Sequence, residues 1–147
     1  KSWAKSIMVD RDLILAKAAA VKKHLKRVEA KRGNSLEAFV KDVDRQDIVL
    51  FNLQMAIQNC VDIAAHIVGE EGLGIPGSTG ELFYSLEDNG YLQPEITKKM
   101  ARAVGFRNLM VHEYAKIDIE QVYSLAHEHL GDFIDYLASI FKRTNIA

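Results

Sequence analysis

Four polar side chains of types that can do chemistry crowd one short segment: Arg107, Asn108, His112 and Tyr114. An arginine guanidinium stays charged and can grip phosphate oxygens with paired donors. An imidazole gains and loses a proton near neutral pH, so a histidine can act as a general acid or a general base. These residue types therefore suit the binding of an anion and proton transfer on it.

Arg107 falls inside an apolar helical stripe. The helix predicted from residue 94 to about 112 places apolar residues on one face, with Arg107 in the middle of them. A buried, unpaired guanidinium costs roughly several kcal/mol, so it must meet a carboxylate, reach solvent through a cleft or bind an anionic ligand. A structural ion pair stays open as an alternative, because buried arginines are usually paired. The stripe consists of Ile96, Met100, Ala103, Met110 and Val111.

His112 stands five residues after Arg107, which turns its side chain by about 140° on an ideal helix. The two side chains converge only if the helix ends there, or if the chain pairs with a second copy about a twofold axis. Asn108 and His112 are four residues apart and can share a helix face. The spacing therefore indicates a helix end or a dimer.

Helical periodicity accounts for the apolar pattern, and no segment reads as a strand. Short connections between long amphipathic helices predict an all-α, up-and-down bundle of four to five helices. The glycine-rich stretch 69–80 lacks the Gly-Lys-Ser/Thr ending of a phosphate-binding loop and is predicted to be a connector. The long predicted helices cover residues 10 to about 32, about 44–68 and 94 to about 112, and a last helix is capped by Asp118. A short helix is predicted over 79–87 and a short turn of helix over 36–40.

The composition fits one globular domain over residues 1–147, with 48% hydrophobic and 27% charged residues. Residues 1–7 precede Met8 and are expected to be a disordered or non-native extension or an alternative start. Cys60 is the single cysteine, so an internal disulfide is excluded and a cytoplasmic location is expected. Polar residues interrupt the most apolar stretch, 48–68, so no membrane anchor is predicted. A net charge of −1 gives no overall attraction to nucleic acid.

The string RNLMVHEY at residues 107–114 resembles the Arg-x4-His-x-Tyr motif of HEPN-domain toxins. These are the HepT-like ribonucleases of toxin and nucleotidyltransferase-antitoxin pairs. The segment DRQDIVLFNLQMAIQNCVDIAAHIV at residues 44–68 is similar to their second helix, and the chain length and helix order are similar as well. No motif position departs from the family pattern.

The resemblance implies an enzyme, the toxin of a type II/VII-like toxin–antitoxin pair. Its activity would be metal-independent endoribonuclease cleavage, in which the 2′-hydroxyl of RNA attacks the adjacent phosphate and leaves a cyclic 2′,3′-phosphate. Arg107 and His112 are the implied catalytic residues, and Asn108 supports the site. A homodimer would join two motifs around one phosphate. No metal and no cofactor are expected.

The resemblance also gives Tyr114 a role. In toxins of this type the antitoxin is a minimal nucleotidyltransferase (MNT) that transfers AMP from ATP to the motif tyrosine, so Tyr114 is the implied AMPylation site. The added bulk and phosphate charge would lie two residues from His112 and would oppose the entry of RNA. The expected partners are therefore RNA, the MNT antitoxin and a second copy of the chain.

Two further features are left open by the sequence. Gln54, Gln58 and Asp62 run down one face of the second long helix, as a solvent-facing strip or as part of a cleft or interface. The segment 22–32 carries six lysines and arginines, which form either a solvated face or a surface that attracts the RNA backbone. The main rival to the enzyme is a non-catalytic HEPN module that binds nucleotide, RNA or its partner, and a structural helical adaptor is the third hypothesis.

Overall fold

The computed structural model describes residues 9–146, and these residues are helical with no β-strand among them. The all-α prediction is confirmed, whereas the predicted extension over residues 1–7 lies outside the described residues. The described elements are α1 (Arg11–Lys31), α2 (Leu36–Lys41), α3 (Val43–Glu70), α4 (Glu81–Asp88), α5 (Pro94–His112), a 3-10 turn (Tyr114–Lys116), α6 (Ile119–Glu128) and α7 (Leu130–Thr144).

Aspartate caps fix the starts of three helices. Asp10 Oδ1 accepts a hydrogen bond from the backbone N–H of Leu13 at 3.1 Å, before α1. Asp42 does the same for Arg45 at 3.0 Å, before α3, and Asp118 caps α6 as predicted. Each cap satisfies a backbone donor that the helix itself leaves unpaired.

The helices α1 and α3 pack antiparallel and form the frame of the molecule. Near one end the backbone N–H of Asp10 donates to His66 Nε2 at 2.9 Å, and near the other end Arg45 Nη1 donates to Lys31 O at 2.7 Å. The five apolar residues that predict the inner face of α1 are all buried: Ile14, Ala18, Val21, Leu25 and Val28.

The long helix α3 lies at the centre of the bundle, where it contacts α1, α4, α5, α6 and α7. By length and composition alone α3 could cross a membrane, but 61% of its most apolar stretch is buried inside the protein, as in the core helix of a soluble protein. Cys60 lies on its inner side with no exposed surface, and burial raises the pKa of this thiol well above its ordinary value. The thiol therefore stays protonated.

The helix predicted after Asp118 is in fact two helices. The helix α6 ends at Glu128, His129 takes φ −122° and ψ 6°, and α7 begins at Leu130. The hydrophobic periodicity continues through this break, which is why it predicts a single helix. The buried residues on the two sides of the break are Val122, Ala126, Phe133, Tyr136, Leu137 and Ile140.

Tyr136 of α7 links the core to α3. Its buried hydroxyl donates to Cys60 O at 2.9 Å, and its ring meets the Phe83 ring edge-on at 5.5 Å. Tyr136→Phe keeps the ring contact and loses one hydrogen bond, so we expect the free energy of unfolding to fall by about 1 kcal/mol. Tyr136→Ala also opens a cavity and should cost roughly 3–5 kcal/mol, by analogy with other large buried aromatic residues. Urea unfolding measures both losses, and an unchanged free energy of unfolding in Tyr136→Phe would contradict the stabilising role of the hydroxyl.

Candidate active site

Arg107 is half-buried on α5, on the same face as Met100, Ala103 and Met110, which are buried. Its Nε is buried and has no hydrogen-bond partner within residues 9–146. No ion pair to Arg107 forms among these residues either, so the structural ion pair that the sequence left open is absent from this part of the chain. A charged donor is thus held ready for an acceptor from outside the described chain.

His112 is the last residue of α5, and its side chain is exposed. The backbone leaves the helix at Glu113, with φ −141° and ψ 51°. A helix end directly after His112 is one of the two arrangements that the Arg107 to His112 spacing allows, and the dimer stays open beside it. Asn108 is also exposed, one helical turn before His112. In the following turn, Lys116 Nζ lies 2.8 Å from Glu113 Oε1 in an exposed ion pair, which contributes little to stability.

Tyr114 begins the 3-10 turn after α5, and 57% of it is exposed. Its hydroxyl donates to Asp47 Oδ1 at 3.2 Å, so the turn is held against the first part of α3. Desolvation and the Asp47 carboxylate beside it raise the pKa of Tyr114 above its ordinary value of 10.0. The phenol is therefore a neutral donor whose hydrogen-bond acceptor is already in position.

Asp47 is a site residue that the sequence did not reveal. It lies 67 positions from Tyr114 along the chain. It belongs to the segment 44–68, which is similar to the second helix of HEPN toxins, but the sequence offers no reason to assign a role to its carboxylate. A contact between residues so far apart leaves no local periodicity, and the acidic residues at the start of α3 read as ordinary helix-start residues. The packing of the motif turn on α3 is what brings the two residues together.

The comparison with known families decides the relationship. A model of the family described as ribonuclease HepT-like matches residues 21–140. The chain belongs to this family. The matched range contains the whole motif and α3, so the family assignment made from residues 107–114 and 44–68 is confirmed.

Two curated relatives are similar over most of the chain. The mRNA nuclease HepT of Shewanella oneidensis is 33% identical over 126 residues, which are 86% of this chain and 94% of the relative. The tRNA nuclease HepT of Aphanizomenon flos-aquae is 35% identical over 117 residues, 80% of this chain and 78% of the relative.

A solved structure of the tri-AMPylated Shewanella oneidensis HEPN toxin in complex with an MNT antitoxin has a TM-score of 0.84 and 33% identity, and the match covers 89% of this chain and 98% of that one. A cytosolic Bacillus subtilis protein of unknown function, YutE, shares the fold at 16% identity and a TM-score of 0.78. The HEPN-like fold class is therefore confirmed.

The polar strip on α3 is used inside the molecule. Gln58 Nε2 donates to Asp62 Oδ1 at 2.9 Å, and the other oxygen of Asp62 lies 2.9 Å from Lys17 Nζ of α1. The contact between Lys17 and Asp62 ties α3 to α1, the Gln58 amide holds the same carboxylate from within α3, and Gln54 is half-buried one turn earlier. The cleft or interface role of these residues stays a prediction. The internal contacts of Gln58 and Asp62 give these two residues a structural role as well.

The structure has two concave surfaces near the motif, one lined in part by α5 and the other lined by α1 and α3. A cleft of about 440 Å³ lies between α5, α6 and α7 and includes Lys99, Arg102 and Phe106, but none of the four motif side chains. A groove of about 430 Å³ lies between α1 and α3 and includes Asp47, the residue that binds Tyr114. Within residues 9–146 no three His, Cys, Asp or Glu side chains come together as ligands for a metal.

Proposed function

We propose that the chain is a metal-independent endoribonuclease, the toxin of a toxin–antitoxin pair, and that Arg107 and His112 are its catalytic residues. The observation that carries this proposal is the buried Nε of Arg107, which has no acceptor within residues 9–146, on the same short segment as the exposed His112. A phosphate oxygen is a suitable acceptor for such a donor. RNA is favoured as the phosphate source because the two curated relatives are named as nucleases of mRNA and tRNA.

The reaction that these side chains suit is transesterification at an RNA phosphate. A general base takes the proton of the 2′-hydroxyl, and the 2′-oxygen forms a bond to the adjacent phosphorus. A general acid gives a proton to the 5′-oxygen as its bond to phosphorus breaks. The products are a cyclic 2′,3′-phosphate and a 5′-hydroxyl, so the atoms balance without a co-reactant. Arg107 stabilises the charge on the phosphate oxygens, and Asn108 orients the phosphate beside it.

One chain supplies one motif histidine for two proton-transfer roles, so the proposal includes a twofold homodimer that joins two motifs. The exposed end of α5 supports this arrangement, because Val111 beside His112 is a 46% exposed apolar residue that a second copy could cover. We expect sedimentation equilibrium to give twice the chain mass of 16.5 kDa and cleavage to follow the dimer fraction on dilution. An active monomer would contradict the composite site.

Tyr114 is proposed as the acceptor of AMP from an MNT antitoxin, in a cytoplasmic protein. Its exposed phenol on the turn after His112 supports this role. The similar Shewanella oneidensis toxin, which is tri-AMPylated in its complex with an MNT antitoxin, gives the chemistry of the modification. An adduct on Tyr114 would add negative charge beside the phosphate site and would repel RNA.

A further inference from the structure

The groove between α1 and α3 is continuous with the motif. It is lined by Lys23, His24 and Arg27 from α1 and by Asp47, Ile48, Phe51 and Asn52 from α3. Asp47 joins the groove to the motif, since it lines the groove and its carboxylate accepts the 3.2 Å hydrogen bond from Tyr114. The groove therefore adjoins the motif at Tyr114.

The lysines and arginines of the basic segment 22–32 differ in what they contact. Arg32 is used internally, since its Nη1 donates to Ala126 O at 2.9 Å, and Lys22 Nζ lies 5.8 Å from the centre of the Phe141 ring. Lys23 and Arg27 are exposed, one turn apart, and line the groove. Neither forms an ion pair with another of residues 9–146. Two cations on one side of the groove thus stay available for anions.

Phe51 gives the groove an aromatic surface. It is 57% exposed, although it belongs to the most buried helix of the protein. The His24 ring meets it edge-on with the ring centres 6.3 Å apart, and His24 Nδ1 is fixed 2.8 Å from Asn52 Oδ1. Asn52 is itself fixed, because its Nδ2 donates to Ile48 O at 2.8 Å. An exposed aromatic ring braced in this way can stack a nucleobase without rearranging.

We propose that this groove binds the single-stranded RNA that flanks the cleaved phosphate, with a base stacked on Phe51 and the backbone phosphates held by Lys23 and Arg27. The inference rests on the proposed ribonuclease function. The charges of the groove favour RNA over an apolar partner. Two cations line the groove together with the exposed ring of Phe51, and the one carboxylate among the lining residues, that of Asp47, already accepts a hydrogen bond from Tyr114. The groove contacts the phosphates of the RNA backbone and the flat face of a nucleobase, which all RNA sequences share. It therefore adds affinity for RNA with little sequence preference.

The test is equilibrium binding of a fluorescein-labelled oligouridylate of about 12 nucleotides, measured by anisotropy in the uncleaving His112→Ala protein over a range of salt concentrations. Removing two phosphate contacts with Lys23→Gln/Arg27→Gln should reduce the slope of log affinity against log salt by about 1.4. The matched control, Lys22→Gln/Lys26→Gln, removes the same charge at the same spacing on the same helix and should leave the slope unchanged. Phe51→Ala should weaken binding about 5- to 150-fold.

Three results would overturn the inference: no binding of the oligouridylate by the His112→Ala protein, equal slopes for the two double variants, or a change of sedimentation mass in Phe51→Ala. The last result would assign the groove to a second copy of the chain. Binding is measured without cleavage, so failure of the groove and failure of the ribonuclease proposal are distinguishable. A protein that cuts RNA but binds equally in all variants would retain the enzyme and lose the groove.

Discussion

Replacing His112 by alanine is expected to lower kcat/KM for RNA cleavage by about 10²- to 10⁴-fold, the usual contribution of general acid–base catalysis. The side chain is exposed at the last residue of α5, so its removal should leave the thermal midpoint almost unchanged. Lys116→Ala is the matched control, because it removes another exposed side chain from the following turn and should retain cleavage within about twofold. Loss of cleavage in both variants would point to disruption of the turn.

Arg107→Met should abolish most cleavage, by about 10²- to 10³-fold, since the group that stabilises the developing charge is lost. Its effect on stability separates function from structure. Methionine fills the apolar stripe and removes a buried Nε that has no partner within residues 9–146, so the free energy of unfolding should stay within about 1 kcal/mol of wild type or rise. If Arg107 instead formed a structural ion pair, Arg107→Met would lower the free energy of unfolding by about 3–5 kcal/mol, and a loss of that size would contradict the catalytic role.

Incubation with an MNT antitoxin and ATP is expected to add an adenylate to Tyr114 and to lower RNA cleavage by at least about 10²-fold, because the added bulk and charge beside the phosphate site oppose the entry of RNA. The phenol oxygen attacks the α-phosphorus of ATP as the bond to pyrophosphate breaks. Since the pKa of Tyr114 is raised, the phenol begins protonated, and Asp47 at 3.2 Å can accept the proton. Asp47→Asn should therefore slow the modification.

Intact-mass and peptide mass spectrometry test this modification. Tyr114→Phe should gain no adenylate and should keep cutting RNA in the presence of the partner and ATP. Tyr84→Phe is the matched control, because Tyr84 is a comparably exposed tyrosine at 47% and lies on α4, outside the motif segment 107–114. Adenylate found on another residue, or full cleavage by the modified protein, would contradict the role of Tyr114.

The main helices and the motif could be predicted from the sequence because their signals are local. The apolar spacing of α1 gives the correct buried face, and the helix end after His112 is one of the two arrangements that the Arg107 to His112 spacing allows. The break at His129 has no such signal, since the apolar pattern of α6 continues in phase into α7. Periodicity reports which face is buried and is insensitive to one residue that leaves the helix.

The surroundings of the motif could not be predicted, because they depend on contacts between distant parts of the chain. Asp47 joins Tyr114 only after α5 and α3 have packed. Lys23 and Arg27 could not be distinguished from Lys22 by composition, and their separation follows from the rotation of α1 against α3. Charge counts show that a helix is basic, whereas packing decides which of its cations remain available.

Cleavage of total cellular RNA by the purified protein in excess EDTA tests whether the protein is a ribonuclease that works without a metal. A mapped cut site is then resynthesised as an RNA oligonucleotide and as a copy with one 2′-O-methyl group at that site. The metal-independent mechanism predicts that the protein cuts the unmodified RNA in EDTA to a cyclic 2′,3′-phosphate and a 5′-hydroxyl, and leaves the methylated copy intact. RNA that stays intact until Mg²⁺ is added, or a methylated copy that is cut, would contradict it.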